Sequence, residues 1–461
     1  MRLSITLAAF AILILSSSIH AQQPSPGAMT IVQAVDSALK TYPSISVSQE
    51  QINAAAAAID LARTSYLPRV DTLATVNRAT RNNVFGLLLP QNVIPSISGP
   101  VLGTNSSESV WGSAIGALAT WEPFDFGLRS ANVSAATAAK ARSEASSKRT
   151  QLDVAVAAAD AYLTLVAAEE TIQAAQAGVE RSQVLARIVR AQVDAQLRPG
   201  ADAARAQAEL AAAQTQLARA EQAAGISRAV LAQFVGGDPR QIRTVTSKLL
   251  MLPAEETPAA LVPLKNPLAA EQNAVVEQKK AELQALGKTY FPKFSLQGSA
   301  YARGTGAVTD GSTLGGFNGL ATNTQNYAVG FSVTFPIFDF KSIGARKAGQ
   351  SAAIRVETAR NDQITSDLTA RWNTAVATLE GARRIAANTP IQVSAAEQAS
   401  QQATARYQAG LGTIVEVAEA QRLLSQSQIE DALSRLSVWR AQLGVAAADG
   451  DIQPFLAGAS Q

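Results

Sequence analysis

Two glutamates, Glu416 and Glu419, stand near the end of the stretch RYQAGLGTIVEVAEAQ, which runs from Arg406 to Gln421. Three residues apart, their carboxylates lie near one face of a helix. Crowded against copies of themselves, such acids resist full ionisation and attract cations. On a lone helix the same pair is an ordinary solvated face. Just upstream, Gly410 and Gly412 interrupt the helical pattern and permit a tight reversal that a β-carbon would strain. Little other reactive chemistry is present. The chain has no cysteine, and its only histidine, His20, falls in an N-terminal leader. Thiol nucleophiles, imidazole bases and the usual zinc and copper ligands are thereby excluded, so no catalytic residue, cofactor or metal site is expected and the chain is not read as an enzyme. The glycine-rich GTGAVTDGSTLGG, Gly304–Gly316, lacks the Lys-Ser/Thr ending of a phosphate loop and has no helix after it.

The elements that position these residues follow from composition and periodicity. Of 461 residues, 47% are apolar, 16% charged and 5% aromatic, with a net charge of +3. No basic block stands out, which argues against a nucleic-acid partner. Long alanine-rich stretches suit long helices with thin, close interfaces. Residues 1–21 read as a secretory signal: Arg2 gives the positive start, Leu3–Leu15 the apolar core, and Ala21 the cleavage point. The apolar run is too short for a membrane anchor. Without cysteine, the exported chain cannot be lipidated on one.

An internal repeat organises the rest. ALKTYP ends at Pro43 and PLKNP at Pro267; YLP ends at Pro68 and YFP at Pro292; both pairs lie 224 residues apart. FDFG begins at Phe124 and FDFK at Phe338; VDAQLRPGADAARAQ begins at Val193 and YQAGLGTIVEVAEAQ at Tyr407; both pairs lie 214 apart. The expected division is a first repeat over 22–240, a proline-rich linker over 241–266, a second repeat over 267–447 and a C-terminal tail over 448–461. Each repeat has a helix before YxP (Ser44–Tyr66, Leu268–Tyr290), two strands, a very long helix (Gly127–Leu197, Lys341–Ala409), a tip, and a returning helix (Ala201–Val235, Thr413–Ala447). A helix of about 70 residues spans about 105 Å, the scale of a coiled coil or helical barrel. Pro390 should kink the second long helix or mark a change in packing.

The strands, expected over about 69–82, 109–125, 293–304 and 326–339, alternate between an apolar and a small or polar face. A soluble sandwich and a transmembrane barrel both alternate so. Trp111 and Trp121 favour the barrel: they share a face ten residues apart, which a tilt of about 40° projects to roughly 25 Å. Tyr327 and Phe335 bracket their strand similarly. Leu73 is an exception, falling on the polar face of its strand. Four strands cannot close a barrel, and an open edge in lipid is prohibitive, so several chains must share one; three chains would give twelve strands.

With the repeat, the YxP and FDF landmarks and the glycine break, the chain resembles the TolC-like outer-membrane efflux-protein family from about Thr30 to Ala447. The resemblance implies a mainly α fold with a transmembrane β portion: a homotrimer whose twelve-stranded barrel sits in outer-membrane lipid above a long periplasmic α-helical barrel. It implies an exit duct for small molecules, served by a periplasmic adaptor and an inner-membrane transporter of RND, ABC or MFS type. It places the periplasmic tips at 195–200 and 409–413, with adaptor contact at Gly410, Leu411, Gly412 and Thr413 and, in the first tip, at Pro199 and Gly200. Gln196 stands where the repeat would place glycine, so Pro199 and Gly200 are expected to supply that turn. Glu416 and Glu419 match paired acids that ring the narrow tip. Some relatives latch the gate with an arginine where this chain has Gly412; Asp202 keeps the acidic partner, and Arg198 is a substitute. The remaining alternatives are a channel for a type I secreted polypeptide, a structural or adhesive coiled-coil protein, and a periplasmic adaptor. An adhesin predicts one uninterrupted stalk and an adaptor one hairpin; neither predicts the duplication.

Overall fold

The structure, a computed structural model, describes residues 28–80, 107–246, 248–255, 257–308 and 312–460. The leader expected at 1–21, the last two residues of the first expected strand, and residues 83–106 between the first two expected strands lie outside these residues. So do 309–311 of the Gly304–Gly316 segment.

The chain begins with α1 (Ile31–Thr41), where the Thr30 hydroxyl accepts from the Gln33 N–H at 3.2 Å and the Gln33 side chain accepts from the Thr30 N–H at 2.9 Å. This reciprocal cap closes two orphan donors, and its T-x-x-Q spacing is the signal for a helix that the repeat alone does not reveal. Two parallel sets follow: α2 (Pro43–Thr64), β1 (Arg69–Thr80), β2 (Ser109–Phe124), α3 (Leu128–Asp194) and α4 (Gly200–Val235), then α5 (Pro267–Lys288), β3 (Lys293–Thr305), β4 (Thr324–Thr334), α6 (Phe340–Gln408) and α7 (Ile414–Asp449). Pro43 and Pro267 open their helices at the position where a missing N–H does no harm. α4 and α7 are displaced by 214 residues at both ends, and α2 and α5 by 224 at both ends. The duplication is therefore structural.

The ends of β4 and α7 differ from expectation. β4 ends at Thr334, not near 339, because Phe335-Pro336 leads into a turn in which Asp339 N–H donates to the Pro336 carbonyl at 3.2 Å. Phe335 thus lies just past its strand. α7 runs on to Asp449, and the segment after it carries α8 (Gln453–Ser460), whose Phe455 packs edge-on to Trp439. α6 continues unbroken through Pro390; beside it, the Thr389 hydroxyl donates to Asp431 at 2.8 Å and shares a hydrogen bond with Ser434 at 2.9 Å, a local polar change in an apolar seam.

The strands form one antiparallel sheet in the order β1-β2-β3-β4. Its register aligns the faces. Val70, Ala119, Gly298 and Val329 lie in one row, and Thr72, Ala117, Ala300 and Tyr327 in the next row of that face. The opposite face carries Arg69, Thr120, Gln297 and Gly330, then Asp71, Leu118, Ser299 and Ala328. Leu73 belongs to this polar face because its row is Gly116 and Tyr301. A β-carbon on Gly116 would stand 2.3 Å from that of Tyr301, so the two strands approach there only over glycine.

Nearest the sheet, α3 packs between α2 and α5, and α5 on α6; toward the tips the order is α4, α3, α7, α6. One flank of the chain is therefore β1, α2 and α4, and the other is β4 and α6. The main core gathers where α1, α3, α7, α8 and the linker meet, around Tyr162, Leu165, Trp439 and Leu456. The Tyr162 hydroxyl donates to the Met29 carbonyl (2.7 Å) and accepts from the Val245 N–H (2.9 Å), fastening the N-terminal segment to the linker. Burial pushes the Tyr162 phenol up to about 12.

Candidate functional site at the hairpin tips

Both reversals are built alike. At the first, Leu197 N–H donates to the Gln192 carbonyl (2.8 Å) and Gln196 N–H to that of Val193 (2.9 Å). At the second, Leu411 N–H donates to Arg406 (2.9 Å) and Gly410 N–H to Tyr407 (3.1 Å). These paired bonds are a Schellman motif, which needs one left-handed residue. Gly410 supplies it with φ +78° and Gln196 with φ +58°. The expectation that Pro199 and Gly200 make the first turn is corrected: Gln196 takes the strained conformation itself, Pro199 is the extended residue before α4, and Gly200 is the first residue of α4.

Gly412 acts differently from Gly410. Its φ is not left-handed, but a β-carbon there would lie 3.2 Å from a Glu416 carboxylate oxygen and 3.3 Å from the Arg406 β-carbon. Thr413 caps α7: its hydroxyl accepts from the Glu416 N–H at 3.3 Å and donates to the Glu416 carboxylate at 3.2 Å. Glu416 is therefore held at the start of its helix, where a negative charge is favoured. Glu419 is exposed one turn on.

The two tips touch through one side chain that the sequence reading did not assign. Tyr407, buried on α6, receives Arg198 from the other hairpin: the guanidinium carbon lies 4.5 Å from the ring centroid, and Nη2 donates to the Tyr407 carbonyl at 2.7 Å. The Tyr407 hydroxyl donates to Asp202 at 3.3 Å. Arg198 and Asp202 are thus brought together through Tyr407. Burial, with the Asp202 carboxylate adding to it, pushes the Tyr407 phenol above its ordinary value and keeps it a donor. Under this contact lies an apolar plug of Leu185, Val189, Ile414 and Val417. Leu197 and Leu411 point away from it and are each 73% exposed. Such matched exposed leucines at two tips were legible only once both turns were known to share a motif.

At the other end, Trp111 and Trp121 share the apolar face of the sheet, with Arg78 over the Trp111 ring at 5.4 Å and the Trp121 Nε1 donating to the Tyr66 carbonyl at 3.1 Å. Tyr327 is on the same face, three residues into β4, and Phe335 packs against Tyr290 at 5.7 Å between centroids. Among the described residues, no three His, Asp or Glu side chains gather as metal ligands would.

Long helices, about 100 Å in length, and a small antiparallel four-stranded sheet match TolC-like channel structures, which have a helical barrel and a β-barrel portion. The chain belongs to the outer membrane efflux protein family, whose pattern it matches over residues 34–237 and 263–451. It is 24% identical over 310 residues to the cobalt-zinc-cadmium resistance protein CzcC of Cupriavidus metallidurans, covering 66% of this chain and 69% of that one. It is 24% identical over 349 residues to the pyoverdine export outer membrane protein OpmQ of Pseudomonas aeruginosa, covering 74% and 70%. The Campylobacter jejuni CmeC outer membrane channel superposes with a TM-score of 0.72 at 16% identity, covering 98% of this chain and 94% of that one. The protein is an outer-membrane efflux channel with a periplasmic helical part, in a family of channels rather than enzymes.

Proposed function

We propose that the protein is the passive exit duct of a tripartite pump, working as a homotrimer exported by its N-terminal signal and held without a lipid anchor. The observation that carries this is the sheet: among the described residues, four strands with one apolar face and unpaired edges at β1 and β4. Open edges are not tolerated in lipid, and three copies give the twelve strands of a closed barrel. Trp111, Trp121, Tyr327 and Phe335 then sit at the membrane–water boundaries. Glu416 and Glu419 of three copies form the acidic ring of the narrow end, and Arg198, Tyr407 and Asp202 replace the missing arginine latch at Gly412. A periplasmic adaptor grips the tips through Gly410, Leu411, Gly412 and Thr413, and through Leu197, Pro199 and Gly200. An RND, ABC or MFS transporter supplies the cargo from the inner membrane. The relatives named for metal resistance and pyoverdine export support small cargo over a secreted polypeptide.

Cross-linking in intact cells followed by membrane fractionation tests this. A cross-linked trimer in the outer membrane is expected, and a soluble monomer would overturn the proposal. Affinity capture from detergent extracts should bring down an adaptor and a transporter.

A further inference from the structure

We propose that each chain holds one anionic phospholipid, from the leaflet that faces the periplasm, in a groove between α3 and α5 just below the sheet. The inference rests on the reading that the apolar face of the sheet lies in lipid.

A row of rings runs down the outer side of the wall. Phe294 and Phe331 stand on the apolar face of the sheet, where Phe294 faces Val333 and Phe331 faces Leu296. Their ring centroids are 6.0 Å apart. Phe294 also meets Phe126 at 6.0 Å, and Phe126 stacks on Phe291 at 5.3 Å. Lys288 ends the row: its Nζ lies 5.4 Å from the Phe291 ring centroid. The rings thus lead from the lipid-facing side of the sheet to the last residue of α5 and stop at a cation. A phospholipid presents its groups in the same order, an acyl chain and then a phosphate. Aromatic rings collect at that boundary, and a lysine stem lies along apolar surface while its ammonium stays in water.

Beyond the Phe291 ring is a groove of about 530 Å³, lined by Gly127, Ser130 and Ser134 of α3 and by Gln284, Gly287 and Lys288 of α5. The small side chains of α3 leave it open, and Ser130 and Gln284 are exposed in it. A second ammonium stands close. A β-carbon on Gly287 would lie 3.6 Å from the Nζ of Lys347, which reaches across from α6. Among the described residues neither lysine forms an ion pair, whereas Lys279 and Lys280 on the same helix pair with Glu282 and Glu277. Two ammonium groups without a carboxylate, set beside an apolar stack, favour an anionic headgroup over a neutral one.

The groove lies within one chain. α3 packs between α2 and α5, away from the flanks at which copies meet, so a neighbouring copy leaves it uncovered. At the matching places of the first repeat, 224 residues earlier, Thr64 and Leu67 stand for Lys288 and Phe291. The first repeat therefore lacks the cation and the ring, and the site occurs once per chain.

Native mass spectrometry of the full-length protein, released from detergent after mixing with equal amounts of dioleoylphosphatidylglycerol and dioleoylphosphatidylcholine, tests this. The parent protein should retain one phosphatidylglycerol per chain in preference to phosphatidylcholine. Lys288→Gln combined with Lys347→Gln should lower that retention about 10- to 30-fold. Lys280→Gln, the same charge change two turns earlier on α5, should leave it unaltered. Excess inorganic phosphate should not displace the lipid, because it has no chain to lie on the rings. Equal retention of both lipids, unchanged retention in the double variant, or displacement by phosphate alone would overturn the inference. Should the double variant fail to assemble, Lys288→Gln alone should lower retention about fivefold, and an unchanged value would count equally against the site. A parent protein that does not insert into vesicles would instead remove the placement of the sheet in lipid, and this inference with it.

Discussion

Arg198 and Tyr407, 209 residues apart in sequence, are joined twice: the guanidinium lies over the ring at 4.5 Å, and it donates to the Tyr407 carbonyl at 2.7 Å. A cation over an aromatic face, together with a charge-assisted hydrogen bond, stabilises the paired hairpins by about 1–2 kcal/mol.

Removing that pair should loosen the tip. Arg198→Ala is expected to speed amide exchange beside Tyr407 and Asp202 about 5- to 30-fold, read by hydrogen-exchange mass spectrometry. Tyr407→Phe keeps the ring and carbonyl and loses only the long bond to Asp202, so its effect should stay below about threefold.

The two turns predict opposite responses to glycine. Gln196 has a left-handed φ of +58° that glycine adopts without strain. Gln196→Gly should therefore stabilise the first tip by about 1 kcal/mol, and Gly410→Ala should destabilise the second by a similar amount. Hydrogen exchange of the amides flanking each turn checks both signs.

Tyr162 sets an alkaline limit. Its phenol titrates at about 12, above the ordinary 10.0, because burial disfavours the charged form. A raised folded value means that this stabilisation is complete below about pH 10. It is lost as pH rises toward 12. Tyr162→Phe should flatten that limb and lower stability at neutral pH by ~1 kcal/mol, since the hydroxyl's bond to the Met29 carbonyl is lost while the Val245 N–H keeps that carbonyl as an acceptor. Thermal unfolding across pH reads both effects.

Glu416 and Glu419 predict a cation effect. Replacing both with alanine removes six carboxylates from the proposed ring. Block of the open channel by a multivalent cation should then weaken by on the order of tenfold, measured as the blocking concentration in bilayers. An unaltered concentration would place both acids outside the conduction path.

The repeat was legible because proline and aromatic landmarks survive duplication: Pro43 and Pro267 open matching helices, and the register sets Trp111, Trp121 and Tyr327 on one face. The tip was only half legible. Gly410 announces a left-handed residue, but Gln196 adopts the same conformation without glycine's signature, because the flanking hydrogen bonds dictate it. Tyr407 reads as one more apolar residue on a helix face; its link to Arg198 and Asp202 depends on how two hairpins cross, which local pattern does not encode. The alternation of β4 runs on through Phe335 and Ile337, but Pro336 ends the ladder at Thr334.

The central claim is that copies of this chain enclose one water-filled path across a membrane. Single-channel recording of the purified full-length protein in planar bilayers tests it most directly. Discrete conductance steps, blocked by cations from the side that the tips face, are the predicted result. An intact bilayer with no conductance at any voltage, from protein shown to have inserted, would contradict it.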